Sequence, residues 1–206
     1  MGATASEVHE MKKAPPVEGV VPVILERWSP RAFADQDVSE KDLQTIFEAV
    51  RWTASSYNEQ PWRFLVGRRG TETYKKILET LMPFNQMWAG KAPVLMMGVA
   101  KTKFSHNGEP NRVALFDLGA ASMTLALEVA AMGLAAHQMA GFDVDAARKA
   151  FGVPEEYVFG SVIALGYQGD PESLPVDQMK QQETSRRTRK ALAEFVWEAW
   201  EKPAGL

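Results

Sequence analysis

The run Ala54–Gly67, ASSYNEQPWRFLVG, sets two serines, an asparagine and a glutamine ahead of a proline and an apolar stretch. Trp62–Val66 is short and rich in large apolar residues, so it reads as a buried strand. The polar residues before it then sit at that strand's mouth, where α/β folds hold ligands. The stretch contains no His, no Cys and no acid pair. It offers neutral hydrogen-bonding groups rather than a nucleophile or a general base.

Working outward, SEKD at Ser39–Asp42 is a capping-box pattern that opens a helix to about Thr53, with Leu43, Ile46, Phe47 and Val50 on one face. Further back, Val17–Trp28 has helical spacing with Pro22 bearing on its start, and residues 1–16 read as a mobile tail, leaving 17–206 as a single domain. Downstream of the first strand, Thr71 caps a helix to Met82, and APVLMMGVA (Ala92–Ala100) is a second buried strand. KTKFSHNGEPN is a loop. Arg112–Met132 is apolar on nearly every face, the pattern of a helix buried in a core or against a second subunit. Gly133 ends it, LAAHQMAGF is a short strand or turn, and Asp143 caps a helix through Phe151. VFGSVIALGY (Val158–Tyr167) is a third buried strand, GDPESLP a loop, and the remainder a basic cluster with a tryptophan-rich end. Helices alternating with short buried strands make the class α/β or α+β. Trp52 and Trp62 are expected in the core, and the ten methionines as core and interface filler.

Composition narrows the function. A chain of 206 residues, 46% apolar, suffices for one domain with its own core. A formal charge of −3 argues against nucleic-acid binding, so any anion must be met by local arginines. The absence of cysteine removes disulfides, thiolate catalysis and iron–sulfur clusters, and three scattered histidines (His9, His106, His137) give no metal-ligand spacing. No run of about 20 apolar residues suggests a membrane span, and no signal-peptide pattern opens the chain, so a cytoplasmic location is expected.

Two arginine clusters stand out, RWSPR at Arg27–Arg31 and RRTR at Arg186–Arg189. A planar guanidinium suits bidentate phosphate binding, and Ser29 offers a further donor. A ligand with a phosphate at one end and a neutral hydrogen-bonding ring at the other would use both the arginines and the polar strand mouth.

The ordered set RWSPRAF, ASSYNEQPWRF, MGLAAHQMAGFD, ALGYQGDPESLP and RRTRKAL resembles the successive motifs of the FMN-dependent nitroreductase family, over Val20 to Phe195. Ala54 departs from it, since the family often has proline there. The resemblance implies an α+β three-layer sandwich with a central, mostly antiparallel sheet flanked by helices. It also implies an intertwined homodimer with FMN at the subunit interface and the C-terminal extension packed on the partner. On the matching positions it assigns Arg27, Ser29, Arg31, Arg187 and Arg189 to the flavin, most of them to its phosphate, with Arg31 reaching the ribityl chain or pyrimidine edge, and it counts Trp28 among the cofactor-binding residues. Ser55, Ser56, Tyr57, Asn58 and Gln60 fall at the ring edge. Gln138, Met139, Ala140 and Gly141 approach flavin N5, with the backbone N–H groups of Ala140 and Gly141 nearest and Gly141 allowing close approach. Apart from the resemblance, Phe104 and His106 are candidates for the substrate pocket from their place in the loop before the apolar helix, where a lone histidine is otherwise simply exposed. The implied activity is ping-pong reduction by NADH or NADPH of nitroaromatic, quinone or enone acceptors, with the chemistry on the flavin and no metal. A flavin or tetrapyrrole carrier is the alternative from another class, and a dehalogenating or flavin-consuming relative a second enzymatic one.

Overall fold

The computed structural model describes residues 2–206. Strands β1 (Trp62–Arg68), β2 (Val94–Lys101), β3 (Ala135–Met139) and β4 (Tyr157–Gly166) form one sheet in the order β1-β2-β4-β3. Every neighbouring pair is antiparallel, which settles the class as α+β. β2 is central and buried from Val94 to Ala100, hence its unbroken apolar sequence.

Alternation along β2 divides the core into two layers. Val94, Met96 and Ala100 pack under helices α3 (Glu40–Arg51) and α6 (Ala114–Ala131). Leu95, Met97 and Val99 pack under α4 (Glu72–Thr80), α5 (Pro83–Ala89) and α7 (Val144–Phe151). The ladder between β2 and β4 shifts register at Met97/Val99, around Gly98. Leu118 of α6 lies directly over this point: a Cβ on Gly98 would approach its Cδ1 to 3.2 Å, and one on Gly160 its Cδ2 to 2.7 Å. The expected caps are present, with Ser39 accepting from the Asp42 N–H, Thr71 from Tyr74 and Asp143 from Ala146.

Several sequence expectations change. The helix expected over Val17–Trp28 contracts to α2 (Pro22–Glu26), because Gly19 turns at φ +79° and Pro22 stands in the first turn, where its missing N–H is harmless. The helix from Thr71 stops at Thr80, and Pro83 opens α5. Of the expected tail, residue 1 lies outside the described residues, and residues 2–16 are not wholly without structure: Thr4 and Glu7 form a capping box for α1 (Ala5–Lys12), which packs on α8 (Asp177–Thr184). Trp62 is buried, but Trp52 is 77% exposed at the end of α3, its indole N–H given to Glu48. α6, with 18 residues, is long and apolar enough by length and composition to cross a membrane, a test that a buried core helix also passes. One face of it is buried against the sheet, while Leu115, Phe116 and Met123 line an exposed apolar face. A separate hairpin of β5 (Trp197–Ala199) and β6 (Lys202–Pro203) lies outside the main sheet.

Candidate functional site

The two arginine clusters, 160 residues apart in sequence, meet in space. Arg187 donates Nη1 to the Arg27 carbonyl at 2.6 Å and Nη2 to the Leu25 carbonyl, capping the C-terminal end of α2. Arg27 reaches Ser29 Oγ at 3.3 Å. Burial, followed by the charge of Arg189, lowers the pKa of Arg27. Burial, followed by the charges of Arg189 and Arg27, does the same to Arg187. Among the described residues, none of Arg27, Arg31, Arg187 and Arg189 makes a contact ion pair with a carboxylate. Arg187 Nε is buried with no hydrogen-bond partner. Like charges gathered without a contact ion pair, one with an orphaned donor, are the kind of arrangement that an anion would complete. Both terminal nitrogens of Arg187 are spent on the backbone, however, so it offers Nε and charge rather than the full fork that the sequence suggests.

Beneath this loop lies His137 on β3, its Nδ1 3.0 Å from the Pro30 carbonyl and its ring 4.6 Å from that of Trp88. Burial pushes its pKa down to about 4, opposed by the bonds to the Pro30 and Ser29 backbone and reinforced by Arg31 and Arg27. The ring is therefore neutral at pH 7, donating Nδ1–H to Pro30 and fixing the turn between Ser29 and Arg31. Trp28, assigned to the cofactor by resemblance, is buried with the Lys12 ammonium 4.9 Å from its ring centroid, so its side chain packs the loop from within.

The opening stretch forms a tight loop. Tyr57, Asn58 and Gln60 have φ of +52°, +55° and +50°, left-handed conformations that cost energy at non-glycine residues and gather at functional sites. The loop is held from within by Ser55, whose Oγ accepts the Gln60 N–H at 2.9 Å. From outside, buried Asp117 of α6 accepts the Ser56 N–H at 3.2 Å. Gln60 turns its own amide to the Asn58 carbonyl at 3.0 Å, whereas the Asn58 side chain is exposed and bonds no other described residue. Glu59 ties this loop to the one after β2, accepting from the Ser105 N–H at 3.0 Å and its hydroxyl at 2.6 Å. Tyr57 thereby meets Phe104 edge-on at 5.6 Å and His106 at 5.8 Å.

At the end of β3, Gln138 gives its amide to the Ser122 carbonyl at 3.2 Å, while the Met139 side chain is buried in the core. Ala140 is exposed. The space beside Gly141 has a different owner from the one expected: a Cβ would come within 2.6 Å of Asn85 Nδ2, which donates to the Gly141 carbonyl at 3.0 Å. The glycine makes room for Asn85 rather than for a ligand on that side.

Within one chain, then, the arginines converge with His137, and the polar loop converges with Phe104 and His106. Among the described residues, no side-chain hydrogen bond or aromatic pair joins the two groups. The sequence-predicted residues also lie outside a cleft of about 810 Å³ that is lined by Phe33, Arg69 and Gln168 among others. Its arginine, Arg69, is already paired with Asp35 and the Lys91 carbonyl. Sequence reading missed Lys12 and Glu183, both buried beside the Arg27–Arg31 loop. The Thr4-to-Glu7 capping box would have signalled the helix that carries Lys12.

The family model described as the Nitroreductase family matches residues 24–167. A protein of Archaeoglobus fulgidus, provisionally named NADH dehydrogenase/NAD(P)H nitroreductase, is 30% identical over 162 residues, covering 77% of this chain and 90% of its own length. An uncharacterised 15.4 kDa protein of Mycolicibacterium smegmatis is 34% identical over 152 residues, covering 68% of this chain and 99% of its own. A solved structure described as an oxidoreductase containing FMN superposes with a TM-score of 0.82 at 33% identity, covering 90% of this chain and 94% of that one.

Proposed function

The chain belongs to the nitroreductase family, and from that premise we propose that it is an FMN-dependent oxidoreductase working as a homodimer, with NADH or NADPH as reductant. The observation that carries this reading is the unpaired arginine cluster with the orphaned Arg187 Nε, a fit for the phosphate of FMN. Arg27, Arg189 and Arg187 Nε would hold that phosphate, with Ser29 as a further donor. The free amide of Asn58 offers a donor and an acceptor to the pyrimidine edge of the ring. When bound, FMN supplies hydride transfer, from the nicotinamide to a nitroaromatic, quinone or activated enone.

The chain's own part is to bind and orient. His137, neutral, keeps Pro30 in place between the two arginines of the loop. Ser55, Ser56, Asn58 and Gln60 offer neutral hydrogen-bonding groups to an uncharged ring, while the one carboxylate of the loop, Glu59, is taken up by Ser105. Tyr57, Phe104 and His106 form an aromatic face next to that loop, suited to flat acceptors. The polar loop rests on Asp117, and the adjoining positions Leu115 and Phe116 belong to the exposed apolar face of α6. A second copy seated on that face would therefore meet this loop, which supports a site drawing its arginines from one chain and Ser55–Gln60 from the other.

The test is anaerobic mixing of the yellow protein with NADH or NADPH while following flavin absorbance. Rapid bleaching, reversed by a quinone or nitroaromatic, is expected. A flavin that stays oxidised with both reductants would leave a carrier as the reading.

A further inference from the structure

Two buried charges, neither assigned to the cofactor, shape the Arg27–Arg31 loop from outside. Glu183 on α8 is 1% exposed, and its Oε1 accepts the N–H of Arg31 at 2.8 Å and that of Ala32 at 3.0 Å. Lys12 on α1 is 5% exposed; its Nζ donates to the Gln182 carbonyl at 2.9 Å and sits 4.9 Å from the centroid of the Trp28 ring. Consecutive backbone N–H groups converging on one point make an anion nest, and here the chain fills the nest with its own carboxylate. Burying a carboxylate and an ammonium costs free energy that apolar residues of similar size would not incur. Packing alone therefore does not account for them. Both helices fall outside the span 24–167 matched to the family.

We propose that Lys12 and Glu183 are positioning residues that hold the Arg27–Arg31 loop in the shape that presents its guanidinium groups to a phosphate, an inference that rests on the FMN site above. Glu183 also tunes the charge of that site. Its carboxylate faces Lys12 and Arg31, offsetting part of the attraction that the cluster exerts on a dianion, whereas Lys12 adds to it.

The experiment measures dissociation constants for FMN and riboflavin by quenching of flavin fluorescence, on full-length protein freed of flavin, with the Tm of each flavin-free protein alongside. Glu183→Gln keeps an oxygen for both N–H groups and removes the charge, so FMN should bind about 3- to 10-fold tighter with riboflavin unchanged. Lys12→Met keeps the packing on Trp28 and removes the cation, so FMN should bind about 3- to 10-fold weaker, again with riboflavin unchanged. Glu183→Ala leaves two N–H groups without an acceptor and should weaken FMN by about 10-fold or more. Should that variant fail to fold, the Gln and Met variants decide. A wild type that prefers FMN, with variants that lower Tm but keep the FMN-to-riboflavin ratio, overturns the positioning role alone. A wild type without preference for FMN overturns the phosphate site and this inference together.

Discussion

His137 carries the sharpest consequence at the scale of a residue. Its pKa falls from the ordinary 6.5 to about 4 on folding, because burial disfavours the imidazolium. Between those values the unfolded chain binds a proton that the folded one refuses. Stability from this group is complete above pH 6.5 and is lost as the pH falls towards 4, by about 3 kcal/mol in all. Urea unfolding of flavin-free wild type and His137→Gln at intervals from pH 7 to 4 should show the two curves converging as the pH drops, with the variant lacking that part of the slope. A constant gap between them would mean that the ring titrates alike in both states. His137 also shows why residue roles were only partly legible in the sequence. The string QMAGFD marks a strand end, but nothing local says that the histidine before it reaches a carbonyl 107 residues away.

At the scale of elements, α6 has two apolar faces and the monomer covers one. Phe116 is 77% exposed on the other. If that face seats a second copy, Phe116→Asp would bury an unpaired charge, weakening the dimer by about 100-fold or more. Light scattering at micromolar concentration should then report a dimer for the wild type and a monomer for the variant, and an unchanged dimer would move the interface elsewhere. The strands and the capped helices were readable, because a strand buried on both faces leaves an apolar run and a cap leaves Ser39, Thr71 or Asp143 at a fixed offset. α1 and α8 were not. Their buried positions are Val8 with Lys12 and Met179 with Glu183, so half of each packing stripe is charged and invisible to a search for apolar periodicity. Trp52 misled in the opposite direction: a large apolar side chain is a weak argument for burial at a helix end.

For the whole molecule, the separation of the arginine cluster from the polar loop makes a prediction that a self-contained site would not. Arg27→Ala and Asn58→Leu subunits should each be poor catalysts as homodimers, yet a mixed dimer should regain one intact site, about a quarter of wild-type activity in a statistical one-to-one mixture if exchange is complete. Activity equal to the mean of the two parents would place both residues in the same chain's site. The bonds that shape the arginine loop also carry a cost in time. Glu183 to Arg31 spans 152 residues, Arg187 to Arg27 spans 160 and Lys12 to Gln182 spans 170. Contacts so distant along the chain close late, after the loop entropy between them has been lost. A ribosome must therefore release the chain through Arg187 before the Arg27–Arg31 loop takes its shape. A nascent chain stalled short of α8 has all four strands of its sheet but lacks the Glu183 and Arg187 bonds that set this loop.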